Sequence, residues 1–293
     1  MLTRVDRVQL ATPDRARAAE GWIDLLGAEH DHDDRVDALG ARRSRYRLGN
    51  GWVEFVEPDG AGPVADALAH RPGGLLFAGG VATPDVDALA ARLKEHGVDP
   101  PREGDQMFLD PTGTGGHGLR LVVSADDPQP SAGAIDQFYE ITNLVHDSDA
   151  CMRHYAALFG LDPASFSPIT SDEFGYAGIL TLFDPERLDR LEVITPHAPA
   201  TTMGRFFAKA GEALYMCFAE TGDLAGIEAR ALDAGAPHTR VPPSGTRPGG
   251  ADTVFLHPGA LGGMMLGLSR RSKAWVWSGR PERVEPVEQE GGR

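Results

Sequence analysis

Cysteine is scarce in this chain. It has two, Cys151 and Cys217, too few for a disulfide framework. Both read as buried free thiols of a protein in the reducing cytoplasm. Long apolar runs are missing as well. No stretch approaches the roughly 20 residues that a membrane helix needs, and the opening Met1-Leu2-Thr3-Arg4-Val5-Asp6 lacks the apolar core of a signal peptide. Positive charge is in short supply: 28 Lys and Arg stand against 43 Asp and Glu, for a formal net charge of -15. That composition excludes a broad nucleic-acid surface and adhesion to anionic lipid, both of which need clustered cations. What remains is a globular protein of 293 residues, 41% hydrophobic, long enough for two domains with real cores. The expected partner is a small molecule, and a homodimer is compatible with the sequence.

The chain says nearly the same thing four times. Val8-Gln9-Leu10-Ala11-Thr12-Pro13-Asp14 leads into an amphipathic run that ends Leu25-Leu26-Gly27-Ala28. Gly80 to Asp85 leads into Val86 to His96, stopped by Gly97. Ile141 to Asp147 leads into a run ending Leu158-Phe159-Gly160-Leu161, and Met216 to Asp223 leads into Leu224 to Ala234, stopped by Gly235. Each unit reads strand, acidic helix start, helix, glycine stop, and such a repeat of supersecondary units governs the fold. Asp14, Asp85, Asp147 and Asp223 sit where a side-chain oxygen caps free backbone N–H groups. Val86, Leu89, Ala90 and Leu93 recur at helical spacing and make one apolar face. Alternating segments such as Trp52-Val53-Glu54-Phe55-Val56 and Leu191-Glu192-Val193-Ile194 predict strands. Isolated helices among runs of strands predict an α+β protein, not a doubly wound α/β sheet.

Ser124 to Gly133 is polar, bears prolines and has no periodicity, as linkers do. It divides the chain into domains at 1–125 and 134–270. Residues 271–293 form a C-terminal tail, loose from Gly279 onward because it is rich in Glu, Pro and Gly, with Trp275-Val276-Trp277 able to pack on the second domain.

"VDRVQLATPD" resembles the opening strand and turn of the vicinal oxygen chelate superfamily, which includes glyoxalases, bleomycin resistance proteins and ring-cleavage dioxygenases. "GWVEFVEP" looks like the fourth strand of the same unit, and "VFLHPGALGGMMLGL" (254–268) resembles the closing strand of methylmalonyl-CoA epimerases and hydroxyphenylpyruvate dioxygenases. The resemblance covers residues 4 to 270. It implies two tandem domains, each of two βαβββ units forming a curved mixed sheet around a cavity. It also implies a metal held from four positions, on the first and last strand of each unit, by His, Glu or Gln, His and Glu.

The chain departs from that ligand set. In the first domain the four positions fall on Arg7, Glu54, Ala78 and either Arg120 or Val122. A guanidinium stays protonated and offers no lone pair, so no metal is expected there. In the second domain they fall on Glu140, Glu192, Tyr215 or Met216, and Gly267. Two carboxylates plus water would hold Mg²⁺ or Mn²⁺ weakly, and not iron or zinc tightly. The two histidines and one carboxylate that oxygen chemistry at non-haem iron wants are missing, so an extradiol-type dioxygenase ranks last.

Two classes of function stay open. The first is an isomerase, epimerase or lyase acting on a small carbonyl-containing molecule in the second cavity. Two facing carboxyls raise the pKa of one of them, so Glu140 is the candidate base, Glu192 its acid partner, and Tyr215 the holder of the enolate oxygen. If Glu140 is instead locked in an ion pair with Arg153 or Arg190, it is structural. The second class is a resistance-type protein that only sequesters a small molecule, with Arg7 and Arg120 anchoring a carboxylate or phosphate and Glu54 and His257 as further contacts. A scaffold with filled cavities is a third reading. Bland alternatives stand beside these. His257 is a structural hydrogen bonder. Glu54 and Glu192 are buried partners of arginines. Arg43, Arg45 and Arg47 share one strand face, either to guard an edge or as an anion-binding wall near Arg7 and Arg120.

Overall fold

The computed structural model describes residues 1–242 and 251–285. The first unit is strand β1 (Arg4–Ala11), helix α1 (Arg15–Leu26) and strands β2 (Glu29–Val36), β3 (Ala41–Leu48) and β4 (Gly51–Pro58). After helix α2 (Pro63–His70), the second is β5 (Leu75–Thr83), α3 (Val86–Glu95), β6 (Arg102–Glu103), β7 (Gln106–Leu109) and β8 (Leu121–Ala125). The third is β9 (Gln137–Leu144), α4 (Ser148–Phe159), β10 (Ser167–Ser171), β11 (Tyr176–Leu182) and β12 (Arg190–Pro196). Helix α5 (Thr202–Ala210) precedes the fourth: β13 (Ala213–Thr221), α6 (Leu224–Asp233), β14 (His238–Val241), β15 (Thr253–Leu256) and β16 (Met265–Arg270). The chain is therefore α+β, with four βαβββ units paired into two curved sheets of eight strands. The strand orders are β2-β3-β4-β1-β5-β8-β7-β6 and β10-β11-β12-β9-β13-β16-β15-β14. Each sheet is mixed: β1 runs parallel to β4 and antiparallel to β5.

Three of the four aspartate caps form as expected, Asp14 to Arg17 N, Asp85 to Ala88 N and Asp147 to Ala150 N. Asp223 makes no such bond; its carboxylate faces Arg230 instead, while Thr221 Oγ1 accepts from Asp223 N. Gly27 and Gly160 close their helices at φ 70 and 64, a region where a side chain is penalised.

The helices α1, α3, α4 and α6 lie between the two sheets, and one continuous apolar core joins both domains through them. Backbone acceptors on one domain meet side-chain donors on the other: Trp22 Nε1 donates to Leu261 O at 3.2 Å and Arg230 Nε to Leu25 O at 2.8 Å. The linker is pinned, because Gly49 and Ala132 exchange two backbone hydrogen bonds. Trp275 and Trp277 pack on the second domain as expected, while Arg283 over the Trp275 ring and Val284 against the same cluster correct the looseness expected from Gly279 as far as Val284. Ala274 and Trp275 are buried against Tyr139, Leu180 and Leu188, since those apolar groups need a cover. Residues 286–293 lie outside the described residues. Among the described residues no helix is long and apolar enough to cross a membrane.

A helix packs against the concave side of each sheet. Val64 and Leu68 of α2 pack on Ala11, Val56, Phe77 and Val122. In the second domain Met203, Phe206 and Phe207 of α5 pack on Leu144 and Ile194. The sequence reading had no elements α2 and α5.

One buried carboxyl makes a hydrogen bond between the domains. Asp189, 1% exposed, accepts from Val5 N at 2.8 Å and from Arg187 Nε at 3.1 Å. Burial, more than these donors can offset, pushes its pKa from 3.8 up to about 6. An acid whose pKa rises on folding favours the folded state once protonated. Its contribution should therefore grow as pH falls from 6 to 4 and be absent above that window. Relative to Asp189→Asn, the wild type should gain up to about 3 kcal/mol across it, measured by urea unfolding at a series of pH values. A flat difference would reject this role for Asp189.

Candidate functional site

In the first cup, parallel pairing sets Gln9 beside Glu54, and antiparallel pairing sets Arg45 on the other side of Glu54. Paired residues present their side chains to the same face, and strand alternation adds Arg7 and Arg43 to it. A register shift between Val5 and Arg7 lets Asp6 turn to the same side as Arg7. Glu54, fully buried, accepts from Arg7 Nη1 at 3.0 Å and Gln9 Nε2 at 2.9 Å, with Arg43 Nη1 at 3.4 Å and Arg45 Nε at 3.3 Å. The remaining Arg7 nitrogens go to Asp6 Oδ1 and Oδ2 at 3.2 and 2.7 Å and to Ser124 Oγ at 2.6 Å. Burial alone would raise the Glu54 pKa, but Arg7, Arg43 and Arg45 together hold it at about 2.

Gly80 makes room for this arrangement, because a Cβ there would stand 1.8 Å from Arg7 Cγ. The guanidinium of Arg7 thus fills the first ligand position, and the donor set does not fit a metal. Nor does the expected clamp of Arg7 and Arg120 form. Arg7 is committed to Asp6 and Glu54, and Arg120 stacks over Phe77 with its guanidinium carbon 4.4 Å from the ring centroid.

In the second cup the register sets Arg190 beside Glu140 and Glu192 beside Thr142. Arg190 Nε donates to Glu140 Oε2 at 2.6 Å, and both groups are essentially buried. Arg190 Nη1 donates to Leu188 O at 3.2 Å and Ser278 Oγ at 2.9 Å. Thr142 Oγ1 donates to Glu192 Oε2 at 2.6 Å. The two carboxyls lie within hydrogen-bonding reach, and burial together with the Glu140 charge pushes Glu192 well above the usual carboxylate range. One cation therefore serves two carboxyls, and the second is neutralised by a proton. The ion pair with Arg190 makes Glu140 structural and removes it as a base. A divalent ion would have to displace both the arginine and the proton, so the pair does not fit resident Mg²⁺ or Mn²⁺. The fourth ligand position is closed too: a Cβ on Gly267 would stand 2.3 Å from the Phe218 ring.

Above this floor the wall is aromatic. Phe218 meets Phe255 at 5.6 Å and Trp277 at 6.2 Å between ring centroids, and Phe174 meets Phe255 at 6.2 Å. These rings are half-buried, Phe174 more open at 40% exposed. Tyr215, the expected enolate holder, packs edge-on against Phe206 at 5.1 Å and makes no hydrogen bond to a described residue. The phenol that feels the two carboxyls is Tyr176, whose pKa is raised by burial and then by Glu192 and Glu140. His257 Nε2 pairs with Thr239 Oγ1 at 2.8 Å on the turn after β15, a structural contact. Sequence reasoning missed Tyr176, Phe218 and Ser278. Phe218 sits two residues past Met216 on one strand face, a signal that alternation offered; Ser278 had none, because it lies in the tail.

The two cups of paired βαβββ units have the tandem arrangement of the vicinal oxygen chelate fold. Residues 6–108 match the family model of the glyoxalase/bleomycin resistance protein/dioxygenase superfamily. The first domain is therefore similar to that superfamily, and the second repeats its fold. A triple mutant of 4-hydroxymandelate synthase from Streptomyces coelicolor superposes with a TM-score of 0.68 at 14% identity, over 97% of this chain and 100% of that one. A xylose isomerase-like TIM barrel/4-hydroxyphenylpyruvate dioxygenase fusion protein does so with a TM-score of 0.63 at 14% identity, over 93% of this chain and 49% of that one. At such identities the likeness is one of fold. Methylmalonyl-CoA epimerase from Mycobacterium tuberculosis, 18% identical, covers 49% of this chain and 93% of its own, with a TM-score of 0.40. A search of curated proteins finds no match to the sequence.

The charge arrangement has a measurable consequence. Glu140→Gln leaves Arg190 buried without a counter-charge and should cost about 3–5 kcal/mol, as should Glu54→Gln in the first cup. Glu192→Gln exchanges one neutral group for another and should stay within about 1 kcal/mol at neutral pH. Urea unfolding of the three variants checks this; equal losses for Glu140→Gln and Glu192→Gln would show that Glu192 is charged.

Proposed function

We propose that the protein binds a small, partly apolar molecule with a carbonyl or hydroxyl oxygen in the second cup, without a resident metal. The observation that carries this reading is the half-open aromatic wall of Phe174, Phe218, Phe255 and Trp277 above a floor of buried polar groups. Ligand sites combine apolar walls with a few placed polar groups in this way. Glu192, kept neutral, is the hydrogen-bond donor for the ligand's oxygen, and Tyr176 stands beside it. At the floor of the first cup Arg7 and Arg43 are committed to Glu54, Asp6 and Asp34. We place the protein in the cytoplasm, in keeping with two buried free thiols.

A second reading, an isomerase, epimerase or lyase, is favoured by the raised pKa of Glu192. A carboxyl whose pKa is raised can exchange its proton with an oxygen or with a carbon next to a carbonyl. In this reading Glu192 carries the proton alone, since Glu140 is held by Arg190.

Trp277 provides the readout. Titration with aryl ketones and hydroxy acids should quench its fluorescence saturably, and Phe218→Ala should weaken binding by at least about tenfold. The same mixtures in deuterium oxide, followed by proton NMR, separate the two readings. Binding without exchange next to the carbonyl leaves sequestration; exchange that Glu192→Gln abolishes establishes catalysis. Absence of saturable binding to any compound, with Phe218→Ala indistinguishable from wild type, would defeat both.

A further inference from the structure

The first cup holds one charge that its own domain leaves unspent. Of the alternating arginines on β3, Arg47 pairs with Glu29, and Arg43 binds Asp34 through two nitrogens and Gln106 Oε1 at 2.6 Å. Arg45, whose side chain is 13% exposed, donates no hydrogen bond to any described residue. Its nearest carboxylate oxygen, Glu54 Oε1, lies 3.3 Å from Nε outside hydrogen-bonding geometry and is shared with Arg7 and Arg43. The guanidinium is held over Trp52, 3.8 Å from the ring centroid. Stacking of this kind orients the group while leaving its edge free to donate.

That edge borders a cavity of about 250 Å³ between β2, β3 and the β6–β7 hairpin, with Arg43, His32, Gln106 and Phe108 among its walls. Burial lowers the Arg45 pKa, and the attraction of Glu54 does not restore it.

We propose that this cavity is a second ligand site, for a small monocarboxylate gripped edge-on by Arg45 on its Trp52 platform. A carboxylate offers two oxygens that match the guanidinium fork. Asp34, Glu103 and Asp105 also line the cavity, and their repulsion disfavours a dianion such as phosphate more than a single negative charge. The site is separate from the second cup and does not depend on the function proposed there.

The test uses the full-length ¹⁵N-labelled protein, titrated with propionate, with sodium chloride at matched ionic strength, and with inorganic phosphate. Propionate should shift the Trp52 indole and Arg45 Nε–H resonances saturably, chloride should not, and phosphate should bind at least about threefold more weakly. Arg45→Met keeps the apolar stem and should weaken propionate by at least about tenfold. Asp105→Asn removes a competing anion and should tighten it by about threefold. A shift that is linear and equal for chloride, or one that persists at full strength in Arg45→Met, overturns the proposal. Phosphate binding as tightly as propionate overturns the ligand class. Should Arg45→Met fail to fold, unchanged affinity in Asp105→Asn decides against it.

Discussion

A carboxylate buried in the floor of a curved sheet has to be neutralised, since an unpaired charge away from water costs several kcal/mol. A metal ion answers that demand when the neighbouring strands supply further donors. Here arginines answer it. Arg7, Arg43 and Arg45 surround Glu54, and Arg190 takes Glu140 at 2.6 Å. The rest of each cup follows from where those guanidinium groups need to lie. Gly80 is a glycine because the stem of Arg7 crosses it, and Ser124 and Ser278 are polar because an arginine nitrogen ends on each.

The two cups answer the same constraint differently. The first has three arginines for Glu54, with Asp6 and Asp34 as further anions, and of the three only Arg45 makes no hydrogen bond to a described residue. The second has one arginine for two carboxyls, so a proton supplies the remaining neutralisation and Glu192 stays an acid. Ion pairs fix the first floor, whereas the protonated Glu192 of the second is the group proposed to meet a ligand. Hydrophobic filling by α2 and α5 shrinks both cups. The second alone keeps a half-open wall of rings, Phe174, Phe218, Phe255 and Trp277.

Much of the architecture was legible because strand and helix periods and the four aspartate–glycine brackets are local signals. Asp14, Asp85 and Asp147 cap as their positions suggested, and only Asp223 turns to another partner, Arg230. The helices α2 and α5 were not legible: Pro63–His70 and Thr202–Ala210 are short, and short helices depend on tertiary packing more than on propensity. The raised pKa of one carboxyl of the Glu140–Glu192 pair was foreseen from repulsion. Which one rose was decided by Arg190, one strand residue away from Leu191 and directly beside Glu140.

By itself the sequence determined the repeat, the α+β class and which residue types stand at the four positions of each cup, because each of these is written within a few residues of chain. Only the tertiary structure decided the use of those residues. Arg120 went to Phe77 and not to Arg7, Tyr215 to Phe206 and not to Glu192, and the tail brought Ser278 onto Arg190. Register, bulges and long-range packing set these contacts, and the charge state of Glu192 depends on groups 50 and 2 residues away that meet only in the folded sheet.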